Sequence, residues 1–325
     1  MTQSGDLRKP TRDGVLDAAR RIAAILPQTP LLPVEINGEQ CWVKVESLQP
    51  IGAFKIRGAW NRIGRIPEGD RERGVIGVSS GNHAQGVAWA ARRLGMPATI
   101  VMPEDAPRVK TDNVRALGAE IVTYDRRAGD RDEIARELQE KTGATIVHAF
   151  ADPWIIEGQG SAGIEAAAQL VERGEAAPTR FIAPCGGGGL SAGLALACPE
   201  AEIVPVEPAG WDVIGRSLAE GRELRASPDA PHTICDCLLA PAARQINLDV
   251  LKGRAEPCLT VSDAEIRSAM RFAFANLRLV IEPGANAGLA AALAGKARID
   301  RRTVILLTGG NVDPAVFAGI IESAN

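Results

Sequence analysis

Short, β-branched apolar runs alternate with longer segments of helical periodicity along most of this chain, and that alternation restricts the fold more than any other feature. Val75–Val78, 98–102, Glu120–Tyr124, 145–148, 181–184, 203–206 and Thr303–Leu307 read as buried strands. Between them, segments 84–94, 131–141, 163–171 and 264–274 are rich in Ala, Leu and Arg and read as helices. Strands interleaved with helices build βαβ units, whose parallel sheets are covered on both faces. The expected fold class is therefore α/β, with open, mostly parallel twisted sheets. With 325 residues the chain can hold one large or two modest domains.

Composition narrows the function. A net charge of −3 and scattered basic residues, paired only in places such as Arg126-Arg127 and Arg301-Arg302, suggest solvated surface, with no nucleic-acid and no membrane partner. No stretch approaches the ~20 apolar residues of a membrane span. The N-terminus has no secretory apolar segment, so a cytoplasmic location is expected. Cys41, Cys185, Cys198, Cys235, Cys237 and Cys258 lack paired zinc spacing, since Cys235-Asp-Cys237 is one residue short of CxxC. All six read as reduced thiols.

In parallel sheets, ligands bind beyond the carboxyl ends of the strands. Three glycine-bearing motifs stand there: Ser79-Ser-Gly-Asn-His83, the run Gly186, Gly187, Gly188 and Gly189, and Thr308-Gly-Gly-Asn311. Four glycines between a strand and a helix let backbone amides approach an anion unobstructed, and the helix N-terminus adds a favourable dipole. Ser191 stands where a Rossmann fingerprint needs its third glycine, and no GKS or GKT sequence supplies a nucleotide P-loop. A phosphate cradle is favoured over the plain alternative, a flexible turn at a strand–helix junction. Ser79, Ser80, Gly81, Asn82 and His83 open a helix, and their amides and hydroxyls suit a carboxylate. Lys55 sits in the small, apolar run Ala53-Phe-Lys-Ile-Arg-Gly-Ala59. Desolvation lowers a lysine pKa, and the neutral amine can form a Schiff base with an aldehyde. His148 and His232 have no such context and read as structural.

Taken in order, Ala53-Phe-Lys-Ile-Arg-Gly-Ala59, Ser79-Ser-Gly-Asn-His-Ala-Gln-Gly86, Cys185-Gly-Gly-Gly-Gly-Leu190, Glu282-Pro-Gly284 and Thr308-Gly-Gly-Asn311 resemble the pyridoxal-phosphate enzymes of fold type II. Within that group the chain is most similar to the serine/threonine dehydratases and serine racemases. The resemblance implies two sheets arranged as in the tryptophan synthase β chain. Residues 1–70 and 149–325 would form a large cofactor-binding domain, and 71–148 a small inserted domain carrying the substrate carboxylate loop. It also implies roles. Lys55 would bind pyridoxal 5′-phosphate covalently, Phe54 would pack on its ring, and Asn82 would hydrogen-bond its 3′ hydroxyl. Gly186, Gly187, Gly188 and Gly189 would hold its phosphate. Thr308 would face the pyridine nitrogen, where a hydroxyl, unlike a carboxylate, leaves that nitrogen unprotonated. Ser79, Ser80, Gly81, Asn82 and His83 would receive the α-carboxylate of a small amino-acid substrate.

Further positions carry the resemblance less directly. Glu207 matches a metal-site glutamate, for a divalent or monovalent cation, although Trp211 and Val213 replace an alanine and an aspartate expected beside it. Glu282 matches a glutamate near the cofactor, and by itself reads as a helix cap. Arg131 aligns with a racemase arginine that helps hold substrate. Ala53 stands where serine is commoner. Phe150 fits the dehydratase pattern, whereas Ser80 is the racemase residue, placed to exchange the α-proton opposite Lys55. The implied activity is dehydration of a β-hydroxy L-amino acid (threonine, serine, phenylserine or hydroxyaspartate) to a 2-oxo acid and ammonia, by a homodimer. Serine racemisation with Ser80 as second acid/base, β-replacement, and a non-catalytic cofactor- or amino-acid-binding homologue stay open.

Overall fold

The computed structural model describes residues 8–106, 108–125, 130–255 and 257–323; the Arg126-Arg127 pair lies outside them. Its strands are β1 (Leu31–Ile36), β2 (Glu39–Val45), β3 (Val75–Val78), β4 (Ala98–Pro103), β5 (Glu120–Tyr124), β6 (Thr145–Val147), β7 (Arg180–Pro184), β8 (Glu202–Pro208), β9 (Leu259–Val261) and β10 (Thr303–Leu307). Its helices are α1 (Arg12–Ala23), α2 (Lys55–Ile63), α3 (Asn82–Arg93), α4 (Arg108–Ala116), α5 (Arg131–Thr142), α6 (Pro153–Glu172), α7 (Gly189–Ala197), α8 (Val213–Glu220), α9 (Gln245–Leu251), α10 (Asp263–Phe272), α11 (Ala287–Leu293) and α12 (Pro314–Glu322). Six strands form one sheet in the order β1-β2-β10-β7-β8-β9, and four form another in the order β5-β4-β3-β6. Every strand pairing is parallel except β1 with β2. Every residue of β7 and β10 is buried, as a strand covered on both faces requires.

The strands β1, β2 and β9 go beyond those expected from the apolar runs. β1 and β2 form an edge hairpin turned by Asn37 and Gly38, with φ of 53° and 83°. Both turn residues are left-handed, the condition that makes Asn-Gly the preferred tight turn between strands. The expected helix over 163–171 is the second half of the longer α6, which starts at Pro153 behind an Asp152 cap that accepts from the amides of Trp154 and Ile155.

Each sheet has one point where the strand order reverses. In the four-stranded sheet it lies between β3 and β6, and in the six-stranded sheet between β7 and β10. Loops leaving such neighbouring strands diverge and open a crevice.

Helix α2 joins the two sheets. Its Ala59 and Ile63 belong to one apolar cluster with Val75, Ala84, Val87 and Ile100 of the four-stranded side, while Ile56 packs with Ala18 and Ile22 of α1. Its third side crosses α6 at glycines. A Cβ on Gly158 would lie 2.6 Å from the Gly58 Cα and 2.8 Å from the Arg57 carbonyl oxygen. α6 meets α7 in the same way, since a Cβ on Gly160 would lie 2.6 Å from the Gly193 carbonyl oxygen. Below the crossing, Arg57 grips Glu46 with two hydrogen bonds of 2.7 and 2.8 Å and reaches Glu165 at 3.0 Å. Gly158→Ala should therefore push α2 away from α6 and destabilise the protein by about 1–3 kcal/mol. Thermal unfolding measures this, and an unchanged melting temperature would show that the crossing has slack.

Candidate active site

Both crevices open into one cavity of about 700 Å³. Its wall takes Ser79, Ser80 and Gly81 from the loop after β3, Ala149 and Phe150 after β6, the glycine run after β7, and Thr308 after β10. The three glycine-bearing motifs therefore meet, as the strand-end rule anticipates.

Lys55 is the first residue of α2 and projects into this cavity. Its segment is stitched to the loop after β10: Phe54 N–H donates to the Thr308 carbonyl at 3.0 Å, Gly310 N–H to the Gly52 carbonyl at 2.9 Å, and Ala53 bridges Gly309. Lys55 Nζ donates to the Ala149 carbonyl at 2.8 Å. Burial lowers the amine to a pKa of about 8. His148 shapes the loop that presents this carbonyl, because its Nδ1 accepts from the amides of Phe150 and Ala151 at 3.2 and 2.8 Å. Burial pushes His148 down to about 4, so it stays neutral and can keep accepting. His232 is exposed on the cavity wall.

The glycine run fits a phosphate. Gly188 is left-handed at φ 81°, and a Cβ on Gly186 would come within 3.2 Å of the Leu238 carbonyl oxygen. On Gly187 a Cβ would lie 2.4 Å from the Phe150 ring. No side chain is accommodated here, α7 begins at Gly189, and its N-terminal amides face the run. The chemistry of these donors suits the phosphate of pyridoxal phosphate, and Lys55 on the same cavity suits its aldehyde.

Asn82 begins α3 with Gly81 as N-cap. Its Nδ2 donates to Glu282 Oε1 at 2.5 Å, and its Oδ1 accepts from Asn311 Nδ2 at 2.8 Å. Both halves of the amide are thereby oriented. Glu282 supports the site and does not cap a helix: its amide donates to the Gly309 carbonyl, and burial raises its carboxyl to about 7. Only glycine fits at 309, since a Cβ there would lie 2.0 Å from Glu282 Oε1. His83 also lines the cavity, but its Nε2 donates to the Val147 carbonyl at 2.8 Å. Burial and the Lys55 charge push it down to about 3, so it is neutral and poorly suited to take a proton.

Glu207 lies at the end of β8, where its two oxygens accept from the amides of Ile214 and Gly215 at 2.8 and 2.9 Å. It caps α8 in this structure, with burial raising it to about 8. Arg131, the first residue of α5, does lie on the cavity wall, loosely paired with Asp132 at 3.9 Å. Sequence reasoning did not select Lys110 of α4, and it noted Cys235-Asp-Cys237, in the turn before α9, without giving Asp236 or Cys237 a site role. Lys110 is buried and forms an ion pair with Asp236 on the cavity wall. Nothing in the local pattern around Lys110 separates it from a surface lysine; only the fold brings its partner across.

A family model described as pyridoxal-phosphate dependent enzyme matches residues 22–309. Among known proteins, the L-threo-3-hydroxyaspartate ammonia-lyase of Pseudomonas sp is 38% identical over 317 residues, covering 95% of this chain and 97% of that one. The serine racemase of Schizosaccharomyces pombe is 37% identical over 329 residues, covering 98% and 99%. Among solved structures, a threonine deaminase of T.th. superposes with a TM-score of 0.86 at 41% identity, covering 94% of this chain and 99% of that one. With the lysine, the glycine cradle and this match spanning most of its length, the chain belongs to the family of pyridoxal-phosphate dependent enzymes.

Proposed function

We propose that this protein is an ammonia-lyase that removes the α-hydrogen and β-hydroxyl of a β-hydroxy L-amino acid, giving a 2-oxo acid and ammonia. The observation that carries the reading is the meeting of Lys55, with a pKa of about 8, the glycine cradle and the Ser79-to-His83 loop on one cavity. Pyridoxal phosphate, when bound, supplies an electrophilic carbon for the substrate amine and a conjugated ring that takes up charge developing at Cα. Gly186, Gly187, Gly188 and Gly189 would hold its phosphate, Phe54 would lie against the ring, Asn82 would meet the 3′ hydroxyl and Thr308 the ring nitrogen. Ser79, Ser80 and the amides of Gly81, Asn82 and His83 would bind the substrate α-carboxylate. Lys55 Nζ is the base for the α-proton: an amine near neutrality is partly free at working pH and needs little driving force to accept it. Segment 71–148, holding the carboxylate loop, would act as the smaller domain.

Arg131 supports a substrate with a second carboxylate, as the names of the hydroxyaspartate ammonia-lyase relatives suggest. Ser80, half-buried on the wall, favours racemisation as the second reading, in line with the relatives named serine racemase.

Lys55→Ala should lose both oxo-acid formation and the absorbance of the covalently held cofactor; a mutant that keeps either refutes the assignment. In the wild type, the rate of covalent cofactor uptake by the apoprotein should rise with pH and level off above about 8, because only the neutral amine attacks. A rate still climbing beyond about pH 9 would mean that Lys55 has the pKa of an ordinary lysine. Stereoisomers of 3-hydroxyaspartate, serine, threonine and phenylserine, followed by oxo-acid release and chiral analysis, test the substrate. Arg131→Gln should weaken kcat/KM for hydroxyaspartate by about 10- to 150-fold, the value of a charged hydrogen bond, and leave serine nearly unchanged. Ser80→Ala should abolish any D-enantiomer while elimination survives. Equal losses on all substrates for Arg131→Gln would place it outside side-chain recognition.

A further inference from the structure

We propose that Asp236, Cys237 and Glu282 form an inhibitory site for a soft divalent cation, with zinc the ion that their chemistry fits best. One ligand atom from each, two carboxylate oxygens and a thiol sulfur, lies within 4.8 Å of the others. They come from two separate stretches of chain that the fold presses together. Asp236 and Cys237 form a short turn, and Glu282 stands just before Gly284, where a Cβ would lie 2.5 Å from the Cys237 sulfur. Glycine at 284 is what lets the thiol approach.

The independent sign of a ligand is Glu282. It is only 1% exposed, and its Oε2 has no hydrogen-bond partner, although Oε1 is held by Asn82. A buried carboxylate oxygen without a donor is uncommon, and a bound cation is one partner that would complete it. A tetrahedral zinc with one sulfur and two oxygen ligands sets them about 3.3–3.7 Å apart, so the group needs only a modest contraction. Asp236, exposed and carried on the turn, can supply it. The thiol makes the site selective: thiolate with carboxylate favours zinc over magnesium or calcium, which take oxygen alone.

The charges balance. Zinc binding forms a Zn–S bond as the Cys237 thiol gives its proton to solvent, and it forms one Zn–O bond to each carboxylate. With Lys110 still paired to Asp236, two cations carrying three positive charges meet two carboxylates and a thiolate, and the group is neutral. A water completes the fourth position. Because Asp236 and Cys237 line the cavity and Glu282 orients Asn82, a metal there would obstruct the cavity and loosen the Asn82 amide. Turnover should fall.

The test titrates zinc chloride into chelator-stripped holoenzyme, with bound zinc measured by equilibrium dialysis and elemental analysis, and oxo-acid release measured in parallel. About one zinc per chain should bind, activity should fall in step, and EDTA should restore it. Cys237→Ala should bind zinc at least about tenfold more weakly, whereas Cys258→Ala, which removes a thiol outside the group, should bind as the wild type does. Cofactor absorbance reports whether each variant is folded; should Cys237→Ala fail to fold, Asp236→Asn makes the same test. Absence of stoichiometric zinc, or equal binding by Cys237→Ala, overturns the site. Stoichiometric zinc with unchanged turnover overturns its inhibitory role. The stoichiometry is read without substrate, so failure of the lyase reading would leave this arm intact.

Discussion

The buried pairing of Arg57 with Glu46 and Glu165 is the interaction on which the site depends. Lys55 opens α2, so its amine is only as well placed as that helix. Two residues on, Arg57 locks the helix by a bidentate contact to Glu46, just past the end of β2, and to α6 through Glu165. Lys44 joins the same carboxylate of Glu165 and the Thr29 carbonyl, so the charges are shared between two cations and two anions. Burial alone would raise Glu46, yet its carboxyl sits below the usual range because the Arg57 guanidinium overrides burial. Such a network adds little net stability over apolar packing, but a version lacking one partner is costly, at about 3–5 kcal/mol. Together with the close glycine crossing at α6, these contacts hold α2 where Lys55 faces the cavity.

From that anchor the site assembles by backbone contact more than by side chains. The lysine segment and the loop after β10 exchange amide hydrogen bonds, which brings Thr308 beside Lys55, and Asn311 then reaches Ile51 and Asn82. Asn82 in turn belongs to the first turn of α3 on the other sheet. One chain of contacts therefore runs from β10 through Asn311 and Asn82 to the carboxylate loop. The two strand-order reversals explain why such distant segments meet, since each sheet opens its crevice toward the same space.

Much of this is legible in the sequence. Glycine-rich motifs at strand ends announce a ligand site because few other reasons put bare amides there, and the strands bearing them are mostly apolar because they are covered on both faces. The edge hairpin was harder. β1 carries Pro33 and alternates in burial, so no apolar run marks it, although Asn37-Gly38 is a turn signal that the apolar pattern overshadowed. Lys110 and Asp236 were invisible for a deeper reason: 126 positions separate them, and neither has a local pattern that betrays their pairing. Glu282 matches a glutamate near the cofactor, with a helix cap as the plain alternative, and its carboxylate spans to Asn82. Glu207 shows the converse, a residue singled out for a cation whose oxygens the α8 amides take up here.

Burial drives Lys55, His83, His148 and Glu282 toward their neutral forms, whereas Asp236 holds the buried Lys110 charged. Lys55 falls to about 8, His83 to about 3 and His148 to about 4, while Glu282 rises to about 7. The inner site thus holds few fixed charges. An anionic phosphate and an α-carboxylate entering it meet amide N–H groups and helix N-termini, whose partial charges cannot be titrated away. Two of these inner groups can change protonation near working pH, Lys55 and Glu282. Glu282 spends its Oε1 on the Asn82 amide, whereas the Lys55 amine projects into the cavity. The full charges on the wall are the Lys110–Asp236 pair, beside Gly81 and Glu282, and Arg131.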